Sequence, residues 1–86
     1  SMHELVTMIV RALVDHPEQV TVNKVDGERN IIFAVRVAPD DLGKVIGKGG
    51  RLADALRTLI RAAGMRERKS IWLDLNKHGE SSAVTD

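Results

Sequence analysis

Apolar positions along this 86-residue chain recur at helical spacing, then alternate, then return to helical spacing and alternate once more. In residues 3–15, HELVTMIVRALVD, Leu5, Ile9 and Leu13 lie four apart with Val6 beside them, which predicts an amphipathic helix. Asp15-His16-Pro17 ends it, because the residue before a proline is pushed out of the helical region. Residues 18–25 begin to alternate at Val20 and Val22, and residues 30–37, NIIFAVRV, alternate strongly. Ile31, Phe33, Val35 and Val37 then share one face of a strand, with Ile32, Ala34 and Arg36 on the other. Asp26-Gly27 between the two runs is a hairpin signal.

Pro39-Asp40-Asp41 predicts a helix start, since proline suits the first turn and the two carboxylates suit its positive end. Leu42, Val45 and Ile46 give that helix an apolar side, and it cannot run past Gly47. A second helix is expected from near Gly50 to a C-terminal cap at Gly64. Leu52, Leu56, Leu59, Ile60 and Ala63 form its core stripe, opposite Arg51, Asp54, Thr58 and Arg61. Its apolar positions span about 180°, wider than the ~100° stripe a core needs, so its edges face bases, a second protein chain, or nothing. MRERK, 65–69, reads as a charged loop. SIWLDL, 70–75, alternates with Ile71, Leu73 and Leu75 inward and Trp72 and Asp74 outward.

The order is helix, strand, strand, helix, helix, strand. A short hairpin makes the first two strands antiparallel, and a helical crossover brings the third in parallel beside the second. The expected fold class is α+β: a three-stranded mixed sheet with three helices on one face. The domain is expected to cover residues 2–75, with 76–86, NKHGESSAVTD, as a flexible C-terminal tail.

A chain of 86 residues makes one domain with a thin core. It has no cysteine, so it has no disulfide and no thiolate metal site, and a reducing, cytoplasmic location is expected. No apolar run approaches the ~20 residues of a membrane span, and no secretory leader is expected. Ser1, ahead of Met2, is read as a cloning remnant and set aside. His3, His16 and His78 are scattered without metal-like spacing, and no nucleophile–base pair or carboxylate pair stands out. No catalytic site, metal, cofactor or small-molecule substrate is expected.

Charge changes the picture more than composition does. The chain is nearly neutral at +1, but residues 43–69 carry +6 and the remainder −5. Lys44, Lys48, Arg51, Arg57, Arg61, Arg66, Arg68 and Lys69 are opposed there only by Asp54 and Glu67. Such a field either solvates a small core or faces an anionic partner.

Within it sits VIGKGG, 45–50. It is not a dinucleotide fingerprint, which would need glycine where Leu52 stands, nor a P-loop, which would need glycine at Leu42 and a hydroxyl residue at Gly49. Physically, Gly47 permits a left-handed cap, Gly50 permits close approach to a helix start that attracts phosphate, and Lys48 adds a mobile cation at the tip. Gly49 removes a steric obstacle to a sugar–phosphate chain. The plain alternative is a tight corner between two helices.

DLGKVIGKGGRLADALRTLI, 41–60, resembles the signature of a KH domain, and the element order resembles the type II, bacterial form. A chain that is little more than this one domain is similar to the small bacterial single-KH RNA-binding proteins, the KhpA-like family. The resemblance covers roughly residues 2–75 and finds no departure in the glycine loop.

It implies a non-catalytic binder of single-stranded RNA, a post-transcriptional regulator or RNA chaperone, that holds about four nucleotides against the GxxG loop. By that resemblance Gly47, Lys48, Gly49 and Gly50 form the clamp. Val45, Ile46, Ala53 and Ile60 contribute to an aliphatic groove for bases, although Ile46 above all could instead be core. Arg66, Arg68 and Lys69 border the groove from the loop before the last strand, while Lys44, Arg51 and Arg57 add phosphate contacts. The family also implies homodimers or pairing with a larger KH-containing protein, so an adaptor role stands as the alternative. Trp72, one of two aromatic residues, is either a stacking platform or a half-buried cross-strand contact.

Overall fold

The computed structural model describes residues 1–75; the tail expectation and His78 lie outside the described residues. Helix α1 is Met2–Leu13, β1 is Thr21–Asp26, β2 is Asn30–Arg36, α2 is Leu42–Ile46, α3 is Arg51–Ala63 and β3 is Ser70–Leu75. Short 3-10 turns at Pro17–Gln19, Pro39–Asp41, Lys48–Gly50 and Met65–Glu67 join them. Strand order is β1-β2-β3, antiparallel then parallel, as the crossover argument required.

Alternation decides which face of the sheet is dry. Ile31, Phe33 and Val35 of β2, Val22 of β1 and Ile71 and Leu73 of β3 are buried beneath the helices. In register on the opposite face, Val25, Ile32 and Trp72 form one row across all three strands. β1 begins later than the alternation suggested, because Pro17–Gln19 forms a turn tied by Val20 N–H to the Pro17 carbonyl at 3.1 Å.

α1 buries Val6 and Val10 most deeply, while Leu5, Ile9 and Leu13 flank them. The stripe expected from four-residue spacing is thus one edge of a broader arc whose centre lies a residue further on. Ser1, set aside in the sequence reading, caps α1 together with Glu4 in a reciprocal capping box. His3 Nε2 meets the Val22 carbonyl at 2.6 Å and links α1 to β1.

The core stripe of α3 also needs correction. Leu56 and Ile60 are buried with Ala53, but Leu59 is 57% exposed and Ala63 is exposed. Leu59 therefore belongs to the excess arc rather than to the core. Gly64 closes α3 without a left-handed backbone (φ −95°). It is small because a β-carbon there would lie 2.9 Å from Ile71 Cγ1 and 3.1 Å from the Met2 thioether.

Asp41 departs furthest from expectation. It does not sit at the helix start as a solvated dipole partner; its residue is 0% exposed. Its carboxylate accepts the backbone N–H of Asp15 at 3.1 Å and of His16 at 2.9 Å, which fastens the end of α1 to the start of α2. Lys44 Nζ lies 3.7 Å away. Burial pushes the Asp41 carboxyl up, but those two amides, together with the charges of His16 and Lys44, outweigh it and hold the group below its ordinary value.

Candidate nucleic-acid interface

The corner between α2 and α3 is built by backbone conformations that side chains resist. Gly47, Gly49 and Gly50 all have positive φ, at 77°, 64° and 77°. Gly47 is not left-handed helical but extended at positive φ (ψ 172°), a region that is nearly glycine-only. A β-carbon on it would fall 2.5 Å from Leu52 Cβ. Gly49 and Gly50 differ in kind: a β-carbon on either would meet open space, apart from Arg51 Nε 4.0 Å from the Gly49 position. The first glycine makes the corner; the other two keep its outer surface bare.

The amides of Gly47, Gly50 and Arg51 are used inside the corner, by the carbonyls of Gly43, Gly47 and Lys48. The phosphate-attracting site is therefore narrower than a bare helix end, although no side chain caps α3 at Gly50. Lys48 and Gly49 are exposed at the tip. Lys48 and Arg51 make no ion pair or side-chain hydrogen bond among the described residues, so both cations are available to a phosphate chain.

The remaining candidate residues separate into groups. Ile46 is half-buried beside the corner, whereas Val45 is 0% exposed and Ala53 and Ile60 are buried. Of the four residues expected at a groove, Val45, Ala53 and Ile60 are core, and Ile46, singled out as the core candidate, is instead the one partly exposed. Lys44 is held by Asp15 at 3.4 Å, by Asp41 and by the Asp40 carbonyl, and so braces α2. Arg57 lies midway along α3; its Nε donates to the Leu73 carbonyl at 3.3 Å and its Nη1 is 3.5 Å from Asp54. It holds α3 against the outer edge of β3.

Arg66, Arg68 and Lys69 do not join the glycine corner. α3 has 13 residues, so its two ends are about 20 Å apart, and these three lie at the far end. Lys69 Nζ donates to Asp26 Oδ1 at 2.7 Å, an interaction that lowers the Asp26 carboxyl below its ordinary value. Trp72 stands opposite Ile32 as the parity argument placed it, yet 55% of the residue is exposed. Sequence reasoning missed the Asp41 fastening and the neutralised state of Lys44 and Lys69. The Asp41 amides, the Asp15 partner of Lys44 and the Asp26 partner of Lys69 are all distant in the chain, so no local pattern signals them.

A three-stranded mixed sheet under three helices, with a glycine corner between the second and third, is a KH fold of type II. The chain matches the KhpA/KhpB KH-domain family over residues 3–75 and belongs to it. It is 50% identical to the RNA-binding protein KhpA of Caldanaerobacter subterraneus subsp. tengcongensis over 74 residues, 86% of this chain and 99% of that one. The protein of the same name from Clostridium perfringens is equally similar, with the same coverage. That of Clostridium acetobutylicum is 47% identical over the same length, again 86% of this chain and 99% of the relative. No solved structure matches the chain significantly.

Proposed function

We propose that this protein is a non-catalytic, cytoplasmic binder of single-stranded RNA that uses the corner 47–50 as its clamp and acts as a post-transcriptional regulator or RNA chaperone. The supporting observation is the corner itself: positive-φ glycines that leave Lys48 and Gly49 bare beside Arg51. The name RNA-binding protein KhpA carried by relatives at 47–50% identity agrees with it. About four nucleotides lie along the corner, with their phosphates near Lys48 and Arg51 and bases toward Ile46. Arg57 and Lys44 act by bracing the elements that frame this surface.

The test is the double substitution Lys48→Asp, Gly49→Asp. Aspartate tolerates the left-handed backbone at position 49 better than most residues, and the space there is open, so the circular dichroism stays native. Affinity for a short oligoribonucleotide should collapse. In Lys48→Ala alone, the slope of log affinity against log salt should flatten by about 0.7, the value for one phosphate contact on a single strand. Unchanged affinity in the double variant would refute the clamp.

The exposure of Leu59 favours a second, compatible reading: α3 also pairs with another copy of the chain or with a larger KH-containing protein. Ala55 and Ala62 flank Leu59 on the same exposed arc. Ile60 is buried, so only Leu59→Asp tests this surface without opening the core. Light scattering should then report a monomer that still binds RNA; an unchanged mass would remove this reading.

A further inference from the structure

β1 is an edge strand, and two contacts fix the direction of its free backbone groups. Gly27, just past β1, donates its N–H to the Asn30 carbonyl at 2.7 Å, so the odd-numbered residues turn their backbone toward β2. His3 Nε2 meets the Val22 carbonyl from the other side, so the even-numbered residues turn theirs outward. Among the described residues, nothing pairs with the outward N–H and C=O of Lys24 and Asp26.

The side chains of this segment are equally uncovered. Val25 is 56% exposed and begins the row Val25, Ile32, Trp72 across the open face of the sheet. On the helix-bearing face burial stops at Val22, and Lys24 and Asp26 are exposed. Charges on an edge ordinarily repel a second strand. Here they have opposite sign and lie two residues apart, so a single antiparallel register satisfies both. In a two-fold pairing centred on Val25, Lys24 of each copy lies directly opposite Asp26 of the other, and the two Val25 side chains meet on the other face. The backbone permits that register: Lys24 and Asp26 form the hydrogen-bonded pairs, and Val25 the close, non-hydrogen-bonded pair. Centring on Lys24 or on Asp26 sets like charges against each other. Sliding toward Val22 meets the carbonyl that His3 already holds.

We propose that the free edge of β1 is a self-pairing interface, occupied by β1 of a second copy in this register. The two sheets then join edge to edge, and their apolar rows meet at Val25 as one stripe. Charge complementarity selects a second copy over an unrelated strand. Within one copy Lys24 and Asp26 stand 3.9 Å apart, at the limit of an ion pair. Directly opposite partners, with β-carbons ~4.5–5.5 Å apart, are better placed. The interface is separate from the surface around Leu59, because α3 packs over β3 and α1 over β1, at the opposite edge. So short a contact falls below the ~1,000 Å² of a stable interface, so it forms transiently in concentrated protein and leaves the mass in dilute solution unchanged.

The chain has no cysteine, so one can be introduced as a probe. In the proposed register the two Val25 α-carbons stand ~4.5 Å apart, within the ~4.4–6.8 Å a disulfide spans. The two Asn23 positions, on the same face, stand ~14 Å apart. Under mild oxidation of concentrated protein, Val25→Cys should give a disulfide-linked dimer and Asn23→Cys should not. Adding Lys24→Asp to Val25→Cys should remove the linked species, and so should adding Asp26→Lys. Mixing those two variant chains sets opposite charges face to face again, and the linked dimer should return. Leu59→Asp in the Val25→Cys background should leave it unchanged.

All these positions are exposed, and circular dichroism checks that each variant folds. Equal linkage at positions 23 and 25 would mean random collision and overturn the proposal, as would linkage that ignores the charge variants. Linkage lost with Leu59→Asp would assign it to the α3 surface and overturn it as well. If Asp26→Lys misfolds beside Lys69, the loss in Lys24→Asp and the contrast between positions 23 and 25 still decide the matter.

Discussion

The two ends of α3 solve the same geometric problem with different materials. Each is a turn entered through a glycine that a β-carbon would disrupt: Gly47 against Leu52, and Gly64 against Ile71 and Met2. Each lies near an aspartate that binds a lysine. Gly47, however, also needs a backbone that other residues avoid (φ 77°), whereas Gly64 has an ordinary φ of −95°. The aspartate behind the first corner, Asp41, is buried and holds two backbone amides; the one beside the second, Asp26, is exposed and holds only lysine ammonium groups. The corner with the barest outer surface is thus the one most rigidly fixed from within. At the other end the backbone is less constrained.

Substitutions at the two glycines should separate these cases. Gly47→Ala adds strain of about 1–3 kcal/mol in a nearly glycine-only region and about 1–3 kcal/mol of overpacking against Leu52. At 4–8 °C per kcal/mol for a domain of this size, Tm should fall by roughly 20 °C. A calorimetric fall of only a few degrees would mean that the corner can relax, and the contrast between the two ends would fail.

Asp41→Ala should come next. It leaves the amides of Asp15 and His16 without their acceptor and Lys44 without one of its two carboxylates, and Tm should fall by roughly 10 °C. The pH dependence has a definite sign. Folded Asp41 binds a proton less readily than it does in the unfolded chain, where its value is about 3.8. Its contribution is therefore complete above about pH 4 and is lost as pH falls through the lower, folded value. Wild type should lose Tm more steeply than Asp41→Asn between about pH 4 and pH 2. Parallel curves would show that the carboxylate's charge is not what fastens α1 to α2.

Gly64→Ala should cost less, roughly 5 °C. The backbone there accepts alanine, and the Met2 thioether can swing aside, which leaves the approach to Ile71 as the main penalty. The gain from a stiffer unfolded chain offsets part of it. A loss as large as that of Gly47→Ala would make the two corners equivalent.

The sequence disclosed the parts of this comparison that are local. Ile31, Phe33, Val35, Ile71 and Leu73 alternate, so their burial and the strand pairing could be read directly. Proline before α2 and glycine after it marked that helix without any tertiary information. The three glycines of the corner were legible as a phosphate-sized gap, but their division of labour was not, because Leu52 becomes an obstacle to Gly47 only once the chain has folded back. Asp41 was read as a dipole partner since its true partners are 25 and 26 residues away. The same distance problem hid Lys69, whose carboxylate lies 43 residues earlier. Charge counting treated every lysine and arginine in 43–69 alike. The structure ties Lys44, Arg57 and Lys69 to protein acceptors, so composition alone overstated the free field.

That correction yields the smallest of the expected effects. Asp26 sits at the end of β1 with Lys69 at 2.7 Å and Lys24 at 3.9 Å, all at the surface. Exposed pairs of this kind contribute little to stability, because solvent screens the attraction and ordering two flexible side chains opposes it. Asp26→Asn should therefore change Tm by no more than about 2 °C. It should nevertheless release Lys69 at the far end of α3 and strengthen the local positive field. RNA affinity at low salt should rise by about twofold to threefold, and the increase should vanish as salt approaches 1 M, where screening reaches about 3 Å. The same gain in a variant already carrying Arg61→Glu would place the effect of the released charge away from that end. A gain lost in that background would join Lys69 to the far end of α3 as a working surface, in contrast to the Lys44 that remains locked behind the glycine corner.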